Sequence, residues 1–543
     1  MDSADSLLKR LEQLNDIGAS LSRERDITRL LEGILLAAKT ITNADGGTVY
    51  RMLEDGQALR FEMLRTDSLH IAMGGTSGTP INFPDLPLRD ASGAPNDSLV
   101  AAYAAIHVET VNIVDAYTEP NFDFSGTRRF DERTGYRSQS FLAVPMKSHE
   151  GEVIGVLQLI NAQRPGSSEV VRFSTADQQL AESLASQAAI ALSNRLLMTQ
   201  LEELFESFIN MINLAIDDKS PHTGGHCQRV PELTMLLADA AAATTEGPLA
   251  SFSMSDRDRY ELKIAGMLHD CGKITTPVHV VDKSTKLQTL FDRVHLIDTR
   301  FEVLKRDAEL QALRQQLALR PCVDPQAEAA IMATQQVALA SIDADRSFLR
   351  AANVGSETMS ESAMQRVRQI GSQRVWRDPD GVETGFLSAD EVENLSIRAG
   401  TLTMAERETI NHHIVATIKM LEQLPWPKHL KNVPEYAGGH HERMDGKGYP
   451  RGLSREQLSV QARVMGIADI FEALMATDRP YKPGMKLSQA IGIMEKFKNN
   501  GHIDPDLFDI FVQQEVYRRY AEKFVAPWQI DEIKPPSVPG AAP

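Results

Sequence analysis

Residues 440–450 read His-His-Glu-Arg-Met-Asp-Gly-Lys-Gly-Tyr-Pro, and this stretch does most to define the C-terminal half of the chain. Two histidines and two carboxylates lie within six residues, and a Gly-Tyr-Pro turn follows them. Imidazole and carboxylate groups are typical ligands of transition metals. A solvated surface loop, the alternative interpretation, does not account for so many ligands in one turn. We therefore predict a metal site here.

A His-Asp pair lies upstream of this motif. His269 and Asp270 end an apolar helical stretch that runs from Leu262 to Leu268. Neighbouring helical positions point about 100° apart, so both side chains reach one metal only where the helix abuts the site. An aspartate can bridge two cations while a histidine binds one, which favours a binuclear centre. Asp469, in a later apolar helix, needs a partner for its charge, and a metal supplies one.

Composition and charge exclude several classes of protein. With 543 residues the chain is too long for one core, so we expect two or three domains. The hydrophobic content of 42% and charged content of 24% are typical of globular proteins, and no apolar run is long enough to span a membrane. The formal net charge of −17 argues against binding to DNA, RNA or anionic lipid, but it allows a small phosphorylated substrate.

The start of the chain and its cysteines predict a cytoplasmic location. Residues 1–5 are acidic and lead into a charged helix, unlike a signal peptide. The cysteines, which are widely spaced and fit a reducing compartment, are Cys227, Cys271 and Cys322.

The N-terminal half alternates between helices and short strands. Leucines at helical or heptad spacing predict an N-terminal helix, which either packs on its own domain or forms a dimer seam. Short strands are expected between about residues 46 and 160. A helical run without Gly or Pro then extends from about Thr175 to about Ile216, and it is suited to a parallel coiled-coil homodimer.

Residues 25–195 resemble a GAF domain, with a helix, an antiparallel sheet, a strand that ends in Asn161 and a closing helix. Cyclic-nucleotide-binding GAF domains carry an Asn-Lys, Phe, Asp-Glu motif. The positions that match it here are Asn161, Phe173 and Asp177. Ala162 replaces the lysine and Gln178 the glutamate, so the motif's Lys–Asp ion pair cannot form. The resemblance implies an α+β sensor for an unknown small ligand, or a domain used for dimerisation.

Residues 210–525, apart from an insertion at 288–399, resemble the HD-GYP family of cyclic di-GMP phosphodiesterases, a branch of the HD phosphohydrolases. The family's motifs stand at 222–230, 269–273, 440–450, 468–474 and 478–482. The resemblance implies an all-α catalytic domain with two divalent metal ions, iron or manganese. It further implies hydrolysis of cyclic di-GMP to pGpG, and onward to GMP. The alternatives are hydrolysis of cyclic GMP-AMP, a broader nucleotide phosphohydrolase, and a non-catalytic receptor for cyclic di-GMP.

The same resemblance implies a set of site residues. One ion would be held by His226, His269, Asp270 and Asp469. The other would be held by His413, His440 and His441, with Asp270 as the catalytic bridge. A third ion would use His222 and Glu472. Phosphate would be bound by Lys273, Tyr449, Arg479 and Lys482, and Lys273 would also assist catalysis. Asp445 would orient a ligand or shape the turn.

The sequence offers more than one candidate for one of the histidine ligands. The motif that begins at residue 400 leads to residues 411–414 at the family's expected distance, and we predict His413 as the ligand, with His412 as the alternative register. His295, in the insertion, is the other candidate. The insertion itself is expected to contain helices from 290 to about 320 and from 328 to 350, and to act as a lid or a dimer contact.

The predicted organisation is a multidomain chain with a long connecting helix. Its segments are an N-terminal helix (1–24), the GAF-like domain (25–195), a helical linker (196–216), the HD-type domain (217–525) and a disordered Pro-rich tail (526–543).

Overall fold

The computed structural model describes residues 2–21, 23–24, 26–53, 55–90, 92–219, 225–320, 324–355, 358–378, 380–477 and 484–533. It divides into two compact units, Met1–Phe205 and Glu206–Pro543. Within these described ranges, no helix combines the length and the apolar character that a membrane span requires.

The first unit is built on an antiparallel sheet. Its elements are α1 (Asp2–Leu21), α2 (Ile27–Thr42), β1 (Ala44–Met52), β2 (Ala58–Thr66), β3 (Ile71–Gly74), β4 (Leu86–Pro87), α3 (Val100–His107), β5 (Val111–Ile113), α4 (Ser125–Thr134), β6 (Phe141–Lys147), β7 (Val153–Gln163), β8 (Val170–Val171) and the first part of α5 (Thr175–Lys219). The residues of α5 after Phe205 belong to the second unit. The strand order is β3-β2-β1-β7-β6-β5, with β4 beside β2 and β8 beside β7. The order of elements is the predicted α+β arrangement.

Two hydrophobic clusters cover the two faces of this sheet. On one face, α1, α2 and α5 pack on β1, β6 and β7 through residues such as Leu35, Leu159 and Ala188. On the other face, α3 packs on the same strands. Leu14 and Leu21 of α1 are buried in the first cluster. These two leucines therefore pack within their own unit, as one of the two interpretations of the N-terminal helix predicted.

The second unit is mainly helical. Its helices are α6 (His226–Ala242), α7 (Asp256–Leu268), α8 (Val278–Val281), α9 (Val294–Ala318), α10 (Pro325–Asn353), α11 (Glu361–Gln373), α12 (Ala389–Leu395), α13 (Met404–Glu422), α14 (Val433–Gly438), α15 (Val460–Met475), α16 (Leu487–Asn499), α17 (Pro505–Gln513) and α18 (Val516–Phe524). Two short strands, β9 (Val375–Arg377) and β10 (Glu383–Gly385), pair antiparallel. This hairpin, whose three-residue strands are too short for a detectable period-2 pattern, lies within the predicted insertion, and the rest of the second unit is helical as predicted.

The predicted insertion folds around its own hydrophobic core. That core joins α9, α10, α11 and α12 and contains Phe301 and Phe386, whose ring centroids are 4.4 Å apart. At the base of the insertion, the buried Lys283 donates to Asn394 and to Glu406 of α13. The insertion is thus tied to the helical core through a helix that also carries a candidate ligand.

The predicted tail begins too early. Pro527–Gln529 forms a short 3-10 helix, and the buried Gln529 donates to the carbonyls of Met475 and Met485. Asp531 accepts hydrogen bonds from Ser488. The boundary at 526 was wrong because these contacts are made with residues distant in sequence. Residues 534–543 lie outside the described part of the chain.

Candidate metal centre

Five separate segments of the second unit bring the candidate ligands together. His226 begins α6, His269 and Asp270 follow α7, and His413 lies on α13. His440 and His441 follow α14, and Asp469 lies on α15. Each element is packed against its neighbours through apolar residues, so the polar side chains meet inside the helical core.

The first group of ligand atoms surrounds one oxygen of Asp270. Asp270 Oδ2 lies 3.1 Å from His226 Nε2 and 3.2 Å from His269 Nε2. Asp469 Oδ1 lies 3.3 Å from His226 Nε2. The ligand atoms of His226, His269 and Asp270 lie within 4.8 Å of one another, close enough to bind a single ion.

The second group contains His413, His440 and His441, whose ring nitrogens also lie within 4.8 Å of one another. His441 Nε2 is 3.2 Å from His413 Nε2. The other oxygen of Asp270, Oδ1, is 3.3 Å from His413 Nε2. One carboxylate thus faces both groups, with a different oxygen toward each.

Backbone carbonyls set the orientation of three of the rings. Nδ1 of His269 lies 2.7 Å from Gly266 O, that of His413 lies 2.5 Å from Ile410 O, and that of His440 lies 2.6 Å from Ala437 O. A carbonyl oxygen can only accept, so each Nδ1 carries the proton. The Nε2 lone pair is therefore available for a metal ion.

Burial keeps two rings of the second group, those of His440 and His441, neutral. Burial and the nearby His269 together lower the pKa of His440 to about 4. Burial and the neighbouring His440 hold the pKa of His441 well below its usual value. Both rings are therefore uncharged at neutral pH, which is the form that binds a metal.

In the first group, by contrast, the neighbouring charges favour a protonated His226 and an ionised Asp270. Burial alone would lower the pKa of His226, but Glu472, Asp270 and Asp469 together hold it well above its usual value. Burial would raise the pKa of Asp270, but Lys273 and His269 outweigh it and hold this pKa well below the usual range. The carboxylate therefore stays ionised in the core of the protein.

Two polar atoms in the centre lack a hydrogen-bond partner among the described residues. They are Asp270 Oδ1 and His440 Nε2, both buried. His226 and His269 also direct their Nε2 atoms at each other at 3.4 Å, close enough for both atoms to bind the same ion. Buried polar atoms are normally satisfied. A set of five imidazoles and two carboxylates around such atoms fits a pair of divalent transition-metal ions.

The ammonium group of Lys273 and the aromatic ring of Tyr449 flank this centre. Lys273 Nζ lies 2.5 Å from Asp270 Oδ2. The ring of Tyr449 stacks on His441 with centroids 4.8 Å apart and an interplanar angle of 25°. Two other predicted phosphate-binding residues, Arg479 and Lys482, lie outside the described residues.

The close approach of the His-Asp segment to α13 depends on Gly272. Its backbone N–H donates to Thr417 Oγ1 at 2.9 Å. A Cβ at this position would lie 2.0 Å from the carbonyl oxygen of His413. Only glycine fits in this contact, which brings Asp270 next to His413.

The structure distinguishes the three candidates for the remaining histidine ligand of the metal centre. His413 is buried in the second group, whereas His412 on the same helix is exposed. His295 is exposed on α9 of the insertion. Among the residues that the structure describes, only His413 of these three belongs to a cluster of possible metal ligands.

Two acidic residues near the centre make other contacts. Glu472 accepts hydrogen bonds from His226 Nδ1 and from Arg229, while His222, its predicted partner at a third ion, lies outside the described residues. Asp445 accepts from Arg443 and from the Lys447 N–H, and so shapes the turn.

Glu442, within the 440–450 motif, has a structural role that the sequence pattern did not predict. It is buried and accepts from the backbone N–H groups of Arg451 and Leu453 at 2.7 and 2.9 Å. These bonds hold the segment after the Gly-Tyr-Pro turn.

The first unit contains a cavity of about 340 Å³ on one face of its sheet. Its aromatic lining residues are Tyr50, Phe61, Phe83, Phe130, Tyr136 and Phe141. The residues that match the cyclic-nucleotide motif make other contacts: Asn161 bonds the backbone of Gln139 and Arg137, and Asp177 pairs with Arg10 at 2.7 Å.

Comparison with known proteins confirms the two predicted kinds of domain. Residues 26–192 match the model of the GAF domain, and residues 384–507 match the model of the HD domain. The second match contains His413, the His440-His441 pair and Asp469, and it begins inside the predicted insertion.

Curated relatives match short parts of the chain. A 3'3'-cGAMP-specific phosphodiesterase 3 of Vibrio cholerae is 38% identical over 111 residues, which are 20% of this chain and 23% of the relative. A 3'3'-cGAMP-specific phosphodiesterase 1 of the same organism is 42% identical over 88 residues, which are 16% of this chain and 20% of the relative. A cyclic di-GMP phosphodiesterase of Pseudomonas aeruginosa is 47% identical over 74 residues, 14% and 17% of the two chains. The chain therefore matches about a fifth of the length of these relatives.

Proposed function

We propose that this chain, in which a GAF domain precedes an HD domain, is a metal-dependent phosphodiesterase that hydrolyses a cyclic dinucleotide, with cyclic di-GMP as the substrate and pGpG as the first product. The observation that carries the proposal is the position of Asp270, whose two oxygens face two separate groups of imidazoles. A carboxylate in this position is suited to bridging two ions.

The donor set fits two ions, iron or manganese, held as the first and second groups described above. When bound, such ions supply Lewis-acid polarisation of the phosphate and activation of water. Lys273 places an ammonium group beside Asp270, where it can bind an anionic phosphate oxygen or protonate the departing ribose oxygen. Tyr449, stacked on His441, lies beside the same site and can contact the bound substrate.

A second substrate, 3'3'-cyclic GMP-AMP, is the alternative, because two of the relatives are named as specific for it. Both substrates contain the same pair of 3',5'-phosphodiester bonds, so the metal centre does not distinguish them. The bases must be recognised by other residues.

Hydrolysis of a panel of cyclic dinucleotides tests the proposal. We expect purified full-length protein, reconstituted anaerobically with Fe²⁺ or Mn²⁺, to cleave cyclic di-GMP faster than cyclic GMP-AMP and cyclic di-AMP, with pGpG appearing first and any GMP later in the time course. Faster cleavage of cyclic GMP-AMP would favour the alternative substrate. Binding of cyclic di-GMP without turnover by the metal-loaded protein would contradict the proposal and favour a receptor.

We also propose that the GAF domain is a small-ligand sensor that acts through a parallel homodimer of α5. The support is an exposed apolar stripe on this helix with alternating spacings of four and three residues. Its members are Leu197, Leu201, Leu204, Phe208 and Met211, each about half exposed or more. This is the a/d pattern of a coiled coil, and the exposed Asn194 stands at the preceding a position, where asparagine favours a two-stranded register.

Leu204→Glu tests the dimer. A charge in the middle of the apolar seam should convert the expected dimer into a monomer, as measured by sedimentation equilibrium, and it should change the rate of hydrolysis. Asn210→Glu, at an exposed position outside the stripe, is the control and should stay dimeric. A wild-type protein that is monomeric at micromolar concentration would rule out this role of α5.

A further inference from the structure

His226 differs from the other candidate ligands in what holds its ring. Nδ1 of His269, His413 and His440 donates to a backbone carbonyl of the same local segment. Nδ1 of His226 donates instead to the carboxylate of Glu472, which lies on α15. A charged acceptor makes a stronger hydrogen bond than a carbonyl, so the ring of His226 is held by a distant part of the chain.

Arg229, one turn after His226 on α6, holds Glu472 in turn. Its Nε and Nη2 atoms lie 2.7 and 2.6 Å from Glu472 Oε1, while Oε2 faces His226. Glu472 is 1% exposed, so both of its oxygens are committed to these two partners inside the protein. Gly225 leaves the space that Arg229 needs, because a Cβ there would lie 2.6 Å from Arg229 Nη1.

We propose that Glu472 and Arg229 are positioning residues for the first metal group: Arg229 fixes Glu472, and Glu472 orients His226 so that its Nε2 points at Asp270 and Asp469. The inference rests on the proposed metal centre and makes Glu472 an orienting group rather than a ligand of a third ion. It also makes binding at the first group depend on the contact between α6 and α15, whereas His413 and His440 of the second group are oriented by carbonyls of their own segments. Carboxylates that orient a ligating histidine typically change metal affinity by about 10–100-fold.

Anaerobic titration with Co²⁺, whose absorption spectrum reports ligand geometry, tests this proposal without an activity assay. We expect the full-length wild type to bind two Co²⁺ ions. Glu472→Gln and Arg229→Gln should bind one ion as tightly as the wild type and the other about 10–100-fold more weakly. Arg229→Lys keeps the charge but loses the forked contact, and it should have an intermediate affinity. Should Arg229→Gln not fold, the comparison of Arg229→Lys with the wild type decides the same question.

Arg300→Gln is the matched control. Arg300 makes a forked pair with the buried Glu391 in the insertion, and breaking it should leave both Co²⁺ affinities unchanged. Equal Co²⁺ affinities in the wild type and in the Arg229 and Glu472 variants would overturn the inference. So would the loss of a third bound ion in Glu472→Gln alone, because Glu472 would then be a ligand itself. A wild type that binds no Co²⁺ would instead refute the proposed function.

Discussion

Asp270→Ala should lower the rate of cyclic dinucleotide hydrolysis by about 10³-fold, the order expected when a charged group central to a catalytic site is removed. Asp270 faces both groups of imidazoles with its two oxygens, and it also contacts Lys273. Its loss should remove a carboxylate that would hold both ions and leave the ammonium of Lys273 without its partner. The measurement is the initial rate of product formation, together with the metal content of the purified variant.

Two further variants separate the charge of Asp270 from its effect on folding. Asp270→Asn keeps the shape and removes the charge, so we expect a comparable loss of activity. Asp298→Asn removes a buried carboxylate of the insertion, which pairs with Arg346 and Arg350, and should cost stability but little activity. Wild-type turnover by a well-folded Asp270→Ala protein would show that the centre described here is not the active site.

Substitution of two adjacent histidines on α13 should have very different results. His413→Ala should lower the hydrolysis rate by at least about 100-fold, because loss of a ligand should cost more than loss of a group that merely orients one. His412→Ala should stay within about 2-fold of the wild type, since exposed substitutions away from a site usually change stability by less than about 0.5 kcal/mol. Initial rates at saturating metal provide the measurement.

The metal content of the His413→Ala and His412→Ala variants provides an independent test of the same prediction. His413→Ala should bind one ion fewer or bind it more weakly, whereas His412→Ala should bind as the wild type does. Comparable losses in both variants would indicate that the helix, rather than one imidazole, is needed. A larger loss in His412→Ala would place α13 in the other register.

Much of this centre could be predicted because its ligands occur in short local patterns. The His269-Asp270 pair and the 440–450 motif each place several ligands within a few residues. Their capacity to bind metal ions can therefore be inferred without knowing any tertiary contact. The HD domain could be predicted for the same reason, and the GAF domain could be predicted from its order of helices and strands. The choice between His412 and His413 could not be made from spacing alone, because it depends on which side of α13 faces the core.

Long-range contacts account for what the local patterns missed. The role of Glu472 depends on a pairing with Arg229 across 243 positions, and the buried Gln529 contacts residues 54 and 44 positions away. The short β9–β10 hairpin and the separate core of the insertion likewise arise from packing. None of these features leaves a repeating pattern in a single chain.

The order of residues alone sets which groups are available: five imidazoles, two carboxylates and a lysine, carried on helices whose apolar faces must be buried. Tertiary packing alone decides that Asp270 turns one oxygen toward each imidazole group, that His413 rather than His412 joins them, and that Glu472 holds His226. The physical reason for this division is that the chemical type of each ligand is fixed by the covalent structure of its side chain. The separations of about 3 Å between these groups exist only after helices distant in sequence have packed together.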